Sequence, residues 1–448
     1  MNATVIATLF GTITFIAAII NARYGLILLP IVLLMERLFI STGITGVNVL
    51  TLIVIPLCLL TLNTSVTQNR VYVNYDLSGV IIAMILVTTI TAFTPIFNPS
   101  PTYKIDYQIL ELKRWFTYFL LFFIYYKCTK DDRNLISKIV LFIALGYAFE
   151  SLNSLKELLI RGRSRLTGSL GNPNELGAYL SIFWIVVWAS LYLVKEKVWL
   201  KRFLQVVLIV GILCSLRTLS RGSYLTLLTT FLVFVFYRYK RAFILALTAS
   251  VMIISFYSVL LPDFMVKRIN ETFEKSDSDL YSGEEKIVLQ RESAGSRVLF
   301  WKTGLLMFAD NPLLGVGFTQ FPSWLPVYGA QYGLKIERPS HNMYVKMLSE
   351  QGIIGFTIFI LLLIRAYRAG SHLMTSQDIF LQRMGVSMCV IVAGFGVSML
   401  FGDRFFQGAL VGTFFILCGI VKAGIYDMSI RKDEQKKEGL FTECIRVI

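Results

Sequence analysis

Long apolar runs separated by short polar segments fill most of the chain. One crossing of the bilayer core needs about 20 apolar residues, and thirteen runs approach or reach that length. They lie near residues 3–20, 24–40, 46–62, 77–96, 112–126, 139–152, 174–194, 203–216, 222–237, 242–261, 342–364, 384–400 and 405–421. Arg23, Glu36 and Arg37 interrupt the first two runs, so twelve spans fit as well as thirteen. The pattern predicts an all-α polytopic membrane protein with about 12–13 transmembrane helices.

One hydrophilic stretch, residues 262–340, breaks this rhythm. It carries nine Lys and Arg against ten Asp and Glu, and it is rich in aromatic residues and prolines after Arg297. Connections between packed helices usually have about 2–8 residues, and much longer ones are often functional. We therefore predict N-terminal transmembrane helices over 1–261, a long outer loop over 262–340, C-terminal transmembrane helices over 341–421 and a cytoplasmic tail over 422–448.

Composition supports a membrane protein and excludes several other classes. The chain has 448 residues, of which 55% are hydrophobic and 16% charged, with a mean hydropathy of +0.66. Soluble domains carry about 25% charged residues. The net charge of +15 agrees with basic cytoplasmic loops, so it does not predict a nucleic-acid partner. The six cysteines form no CxxC pair and predict neither a disulfide framework nor a thiolate metal site.

Lys and Arg are distributed unequally between alternate loops. One set of loops, residues 127–138, 195–202, 236–241, 365–383 and 422–448, contains 20 of them. The alternate set, residues 97–111, 152–173, 217–221 and 401–404, contains 8. Because basic residues favour the cytoplasmic side, we predict that the first set is cytoplasmic and that the long loop faces outside.

The outer side nevertheless keeps a group of arginines. They are Arg161, Arg163, Arg165, Arg217, Arg221 and Arg404 in short loops, with Arg268, Arg291, Arg297 and Arg338 in the long loop. The planar guanidinium fork suits phosphate and carboxylate oxygens, so the cluster indicates a polyanion such as a lipid pyrophosphate. Binding of lipid headgroups, or capping of helix C-termini, is the alternative for any single arginine.

Two histidines occur in the chain, and only His341 is predicted on the outer side. It follows Pro339 and Ser340, where a membrane helix is expected to begin. An imidazole can exchange protons near neutral pH, which makes His341 a candidate general base. Glu350 lies four residues after Lys346, so we interpret it first as half of an ion pair within a helix and second as catalytic. The sequence contains no HExxH motif and no Walker loop, and it predicts neither a metal nor another cofactor.

Several short motifs follow one another in a characteristic order: Arg165–Asn174 (RLTGSLGNPN), Ser220–Gly222 (SRG), Ser296–Trp301 (SRVLFW), Asn311–Phe318 (NPLLGVGF), Ser340–Asn342 (SHN) and Glu350–Gly355 (EQGIIG). Their order resembles that of the O-antigen ligase and O-antigen polymerase superfamily. The resemblance extends from about residue 160 to residue 365, and the first 150 residues match only as generic membrane spans. The glycines between Pro312 and Gly317 predict a tight turn.

The resemblance implies a metal-independent, inverting glycosyltransferase on the outer face of the bacterial inner membrane. Its donor would be a glycan on undecaprenyl pyrophosphate, and its acceptor would be lipid A-core or a similar lipid or glycan. Carried over by motif, His341 is the candidate base, and Arg165, Arg221 and Arg297 are candidate contacts of the pyrophosphate. Arg217 and Arg338 join them on a looser alignment.

The residues leave several functions open. A ligase transfers a complete lipid-linked glycan, whereas a polymerase of the same superfamily joins repeat units, and the motifs do not separate the two. A ligase that glycosylates proteins is a third member of this group. A transporter is disfavoured because coupled transporters keep ionisable residues within their spans, and the predicted spans have almost no Asp or Glu.

Overall fold

The computed structural model of the protein describes residues 3–39, 48–62, 76–267, 270 and 294–447. All regular structure in these residues is helical, which confirms the predicted all-α polytopic fold. The first eight helices are α1 (Ala3–Ile20), α2 (Ala22–Leu34), α3 (Val49–Leu62), α4 (Leu77–Phe97), α5 (Ile105–Thr129), α6 (Arg133–Leu159), α7 (Pro173–Leu193) and α8 (Val198–Arg217). The next eight are α9 (Arg221–Arg238), α10 (Lys240–Ser255), α11 (Tyr257–Leu260), α12 (Ala294–Asp310), α13 (Phe321–Tyr328), α14 (Met343–Leu373), α15 (Ile379–Ser398) and α16 (Gly408–Val447).

Every predicted apolar run overlaps one of these helices. In the described residues, seven helical segments are long and apolar enough to cross a membrane: Leu77–Phe97, Arg133–Leu159, Pro173–Leu193, Val198–Arg217, Met343–Leu373, Ile379–Phe401 and Gly408–Arg431. Shorter apolar helices cover Thr4–Ile20, Ala22–Leu34 and Val49–Thr61. The protein is therefore a multi-pass membrane protein, whose exact number of spans stays a prediction.

Polar caps fix where many of the helices begin. A side-chain oxygen accepts a backbone N–H from the first turn at Asn21, Asp76, Asp132, Asn172, Asn342 and Asp378. Each cap satisfies one or two of the N–H groups that a helix start leaves without a partner, which matters most where little water is present. Asn172 and Asn342 place two helix starts at the same end of the bundle.

The less basic loops meet at one end of the helical bundle. There the 152–173 connection contacts the 217–221 connection through the Leu166 N–H, which donates to the Arg217 carbonyl at 3.4 Å. The more basic loops meet at the other end, where Arg133 pairs with Asp378. The two loop sets defined by charge are therefore separated in space.

The described part of the long loop folds as a small layer on the less basic end. Helices α12 and α13 share an apolar cluster that contains Phe300, Met307, Phe321 and Leu325. Val345, in the first turn of α14, completes the cluster and attaches this layer to the bundle. Arg268 and Arg291, which were predicted on the outer side, lie outside the described residues.

Helix α14 is broken at Gly352. This residue has φ 63° and ψ −165°, a conformation that favours glycine because side chains with a Cβ are strained there. A Cβ at Gly352 would also lie 2.3 Å from the backbone of Leu313. The Leu313 segment therefore occupies the space that the break opens.

Backbone hydrogen bonds join the 312–317 turn to the break. The Val316 and Gly317 N–H groups donate to the Ser349 and Glu350 carbonyls at 2.8 and 3.1 Å. In return, the Ile353 N–H donates to the Pro312 carbonyl at 2.8 Å. The tight turn predicted from the glycines is thus present, and it supplies the partners that the interrupted helix lacks.

A Gly352→Ala substitution should destabilise the protein, because alanine meets both a disfavoured backbone conformation and the Leu313 main chain. We expect a clear fall in the midpoint of thermal unfolding of the purified protein in detergent, with a cost of about 1–3 kcal/mol or more.

Gly79→Ala is the matched control, since a Cβ at Gly79 has no neighbour within 4 Å. Equal unfolding midpoints for the two variants would contradict the proposed tight fit around Gly352.

Candidate functional site

A polar cavity of about 640 Å³ opens at the less basic end of the bundle. Its walls come from the α4–α5 connection and the start of α5, the start of α7, residues 319–346, and the connection between α15 and α16. His341 and Arg338 both line it, so the candidate base and one candidate pyrophosphate contact open onto the same space.

His341 is held in an unusual backbone conformation at the cavity wall. Its φ of 54° is in the left-handed region, as is the φ of 65° at Thr319, another lining residue. Strained residues of this kind concentrate at functional sites. The next residue, Asn342, caps helix α14 through its side chain, so the histidine projects from a fixed helix start.

The segment around His341 is tied to the α15–α16 connection. The Ser340 hydroxyl lies 2.8 Å from Asp403 Oδ1 and also accepts the Asn342 N–H at 3.2 Å. The Ser340 carbonyl accepts the indole N–H of Trp301 at 3.1 Å. The backbone on both sides of His341 is thus fixed from two directions.

Lys346 forms a buried charged cluster beneath this segment. Its ammonium lies 3.2 Å from Glu350 and 3.7 Å from Asp403, and it stands 4.1 Å from the centre of the Phe406 ring. The predicted Lys346–Glu350 pair within the helix is therefore confirmed. The same Glu350 carboxylate accepts the Thr319 and Phe321 N–H groups, both at 3.0 Å, so it also holds the cavity wall that follows the 312–317 turn.

Arg404 is a fully buried cation among the cavity residues. Its Nε donates to the Ser398 hydroxyl at 2.9 Å, and Nη1 donates to Gln407 Oε1 at 3.1 Å. Burial lowers the pKa of Arg404 to about 10, partly offset by the negative charges of Glu175 and Asp403. The guanidinium therefore stays charged near neutral pH. Its hydrogen bonds to Ser398 and Gln407 go to uncharged oxygens.

Arg165 and Arg217 belong to the contact between two short loops. Arg165 Nε donates to the Thr218 carbonyl at 3.2 Å, and Nη2 lies 3.4 Å from the side chain of Asn174, a cavity-lining residue. The Arg217 guanidinium stacks 4.1 Å from the centre of the Phe264 ring. Neither arginine is among the lining residues, although Arg165 reaches one of them.

Arg221 and Arg297 lie close to the α15–α16 connection without lining the cavity. A Cβ at Gly222, directly after Arg221, would lie 2.8 Å from Phe401, which does line it. The positive charge of Arg297 contributes to the lowered pKa of Arg404, which places the two guanidinium groups near each other. Of the predicted residues, the structure thus brings His341 and Arg338 together and leaves the others around them.

Arg161 and Arg163 have a structural role among the outer arginines. Both approach Glu157 Oε1, at 3.9 and 3.2 Å. Glu157 also accepts the Thr167 and Gly168 N–H groups at 2.8 and 3.1 Å. The paired carboxylate therefore fixes the loop that carries Arg165.

Sequence reasoning singled out neither Lys346 nor Asp403 as a site residue. It also named Arg404 only as one of many outer arginines. A signal was available in Asp403–Arg404, two charged residues inside a short connection between strongly apolar runs. Their common location with Lys346 depends on the tertiary fold, which sequence spacing does not reveal.

In the part of the chain that the structure describes, no group of three or more His, Cys, Asp or Glu side chains is arranged to hold a metal ion. The cavity side chains are instead a mixture of hydrogen-bond donors, cations and carboxylates that are suited to a polar, partly anionic ligand.

The fold and this cavity define a multi-pass membrane protein with a polar site at one end of its bundle. A family model described as O-antigen ligase matches residues 206–360, which confirms the resemblance drawn from the motifs. Arg217, Arg221, Arg297, Arg338 and His341 all lie in the matched segment. The match supports ligase- or polymerase-type glycosyltransferase activity on lipid-linked glycans in general. No curated protein sequence matches the chain.

Lys346→Met should destabilise the protein strongly, because it leaves the buried Glu350 carboxylate and the partly buried Asp403 carboxylate without their shared cation. Removing one partner of a buried ion pair costs about 3–5 kcal/mol. The measurement is the thermal unfolding midpoint of the purified protein in detergent.

Lys104→Met is the control, since Lys104 is an exposed lysine at the same cavity. A Lys346→Met variant that unfolds at the same temperature as Lys104→Met would show that the buried cluster contributes little to stability.

Proposed function

We propose that the protein transfers a glycan from undecaprenyl pyrophosphate to an acceptor hydroxyl on lipid A-core or a similar lipid or glycan. The observation that carries this proposal is the shared cavity of His341 and Arg338, with the cations Lys346 and Arg404 at the same site. A proton acceptor and several cations are the groups that such a transfer requires. The O-antigen ligase match over residues 206–360 supports the same class of reaction.

His341 acts as the general base in this proposal. The acceptor hydroxyl gives its proton to the imidazole while its oxygen attacks the anomeric carbon of the donor sugar. The bond from that carbon to the diphosphate oxygen breaks, and attack from the opposite face inverts the anomeric configuration. The leaving diphosphate takes the bonding electrons and departs as an anion, so neither a nucleotide nor a metal enters the chemical balance.

Arginines stabilise the departing diphosphate. Arg338 contacts it in the cavity, and Arg404 adds a buried charge that needs no reorganisation during the reaction. Arg165, Arg217, Arg221 and Arg297 are further pyrophosphate contacts that guide the charged headgroup from the lipid phase toward His341. Guanidinium forks suit this task because they bind two phosphate oxygens at once.

The proposed location is the bacterial inner membrane, with the cavity on its outer face. The cavity is at the end of the bundle where the less basic loops meet, and the positive-inside rule assigns that end to the outer side. Lipid-linked donor and acceptor would both reach the site laterally through the membrane.

Reconstitution with purified components tests the function directly. The full-length protein is placed in liposomes with an undecaprenyl-pyrophosphate glycan and lipid A-core, with a metal chelator and without nucleotide. We expect glycan to appear on lipid A-core in one step. Ladders that grow on the undecaprenyl carrier would identify a polymerase instead, and the absence of any glycan transfer would contradict a transferase.

His341→Ala should reduce transfer at least about a hundredfold, because general base catalysis contributes about 10²–10⁴-fold to rate. The variant should still insert and fold, since one side chain at the cavity wall contributes little to the bundle. Transfer rates in the liposome assay measure the effect.

His372→Ala is the matched control, because His372 is the second histidine and lies at the end of α14 that points away from the cavity. Undiminished transfer by His341→Ala would rule out His341 as the base.

A further inference from the structure

The first turns of α5 form one wall of the cavity. In the sequence, they come well before the segment that the family model matches. Tyr107, Glu111 and Arg114 all line the cavity. Their spacing of four and three residues places them on the same face of the helix. This wall lies outside residues 206–360, and the proposed roles of His341 and the outer arginines do not use it.

Glu111 presents a buried oxygen that lacks a hydrogen bond within the described residues. Its Oε1 accepts from Arg114 Nη1 at 2.6 Å, whereas Oε2 is buried and has no such partner there. The residue is only 7% exposed. A buried carboxylate oxygen beside a polar cavity is a strong acceptor for a donor group brought by a ligand, because leaving it without one is unfavourable.

Further contacts hold the ion pair of Glu111 and Arg114 in place. Arg114 Nε lies 3.9 Å from Glu36 Oε1, and Glu36 Oε2 accepts the Tyr118 hydroxyl at 3.2 Å. Asn48 donates to Glu36 from the start of α3 at 3.4 Å. The orientation of Glu111 toward the cavity is therefore fixed before any ligand binds, which reduces the entropy lost on binding.

Tyr107 adds an exposed aromatic ring to the same wall. The residue is 51% exposed and lies one helical turn before Glu111. Its phenol is near enough to interact electrostatically with Glu111 and with Lys346, and the cavity that it lines is also lined by Lys346. An aromatic ring with a polar tip offers both an apolar face and a hydrogen-bonding group.

These groups together select one class of ligand. The Glu111 carboxylate has no hydrogen to donate to a phosphate, and its charged pair with Arg114 is unsuited to an acyl or prenyl chain. A sugar ring fits, because it has hydroxyl donors at its edge and a face of C–H groups. We propose that Tyr107, Glu111 and Arg114 form a saccharide subsite, in which a sugar hydroxyl donates to Glu111 Oε2 and the ring lies against Tyr107. This inference builds on the proposed function and names where that reaction holds a sugar of its glycan substrates.

Equilibrium binding to the full-length protein in nanodiscs tests the subsite without requiring turnover. Two probes are used separately: deacylated lipid A-core oligosaccharide, and an undecaprenyl-pyrophosphate glycan. Glu111→Gln removes the charge but keeps the shape, and Tyr107→Ala removes the ring. Each should raise the dissociation constant of at least one probe about tenfold, as expected when a charged acceptor or an aromatic contact is lost.

Matched variants on the same helix separate a local effect from a general one. Asp106→Asn and Ile109→Ala change exposed residues of α5 that do not line the cavity, and both should bind like the wild type. Tyr107→Phe keeps the ring and should stay within about twofold of wild type, as expected if the face of the ring makes the contact. Unchanged thermal unfolding of Glu111→Gln confirms that its effect is not a folding defect.

The outcomes distinguish this inference from the proposed function. The probe whose affinity falls identifies whether the subsite holds the acceptor or the donor sugar. Wild-type affinity of Glu111→Gln and Tyr107→Ala for both probes would overturn the subsite, as would failure of the wild type to bind either one. If the subsite is contradicted in this way, glycan transfer in liposomes would still support the proposed function. Saccharide binding without any transfer would contradict the transferase and still support the subsite.

Discussion

The Glu350–Gly352 segment is the constraint on which the rest of the site depends. A helix interrupted within an apolar bundle leaves N–H and C=O groups that neither water nor lipid can satisfy. Here the 312–317 turn supplies those partners, and the Glu350 carboxylate binds the next two free N–H groups at Thr319 and Phe321. The turn, the break and the cavity wall are therefore joined into one hydrogen-bonded unit.

This unit also explains the position of the histidine. The short part of α14 before the break begins at the Asn342 cap, directly after His341. It carries Lys346 near its middle and Glu350 near its end. Because this short helical piece is fixed by the cap at its start and by the break at its end, it has little freedom to move. Preorganisation of this kind matters for the proposed role of His341 as a base, since a displacement of about 1 Å can cost a large part of the rate.

The sequence predicted the helical fold and the general location of the site, but only part of its composition. Apolar runs are a local property, and each one overlaps an observed helix. The glycines at 315 and 317 predicted a tight turn, yet the contact of that turn with the helix break at Gly352 depends on tertiary packing. Lys346 and Glu350 were recognisable because an i, i+4 pair is local. Asp403 escaped notice because it joins them from a connection about fifty residues away.

The arginines also show that the sequence does not reveal which tertiary contacts a residue makes. A count of positive charges on the outer side treats Arg161, Arg165 and Arg404 alike. In the structure, Arg161 contacts Glu157, Arg165 bridges two loops, and Arg404 is fully buried. Burial and the choice of partner, which decide what each charge can do, follow from neighbours that are distant in the chain.

The cavity is assembled from several distant parts of the chain, and this has a consequence for how the protein can diversify. Residues 319–346 supply the histidine and lie within the family match, while the facing wall of α5 lies more than two hundred residues earlier. Changes to the surface of α5 can alter which partner fits without disturbing the histidine or its supports. Two proteins of this architecture can thus share one reaction and differ in substrate through a helix that family-level sequence comparison does not cover.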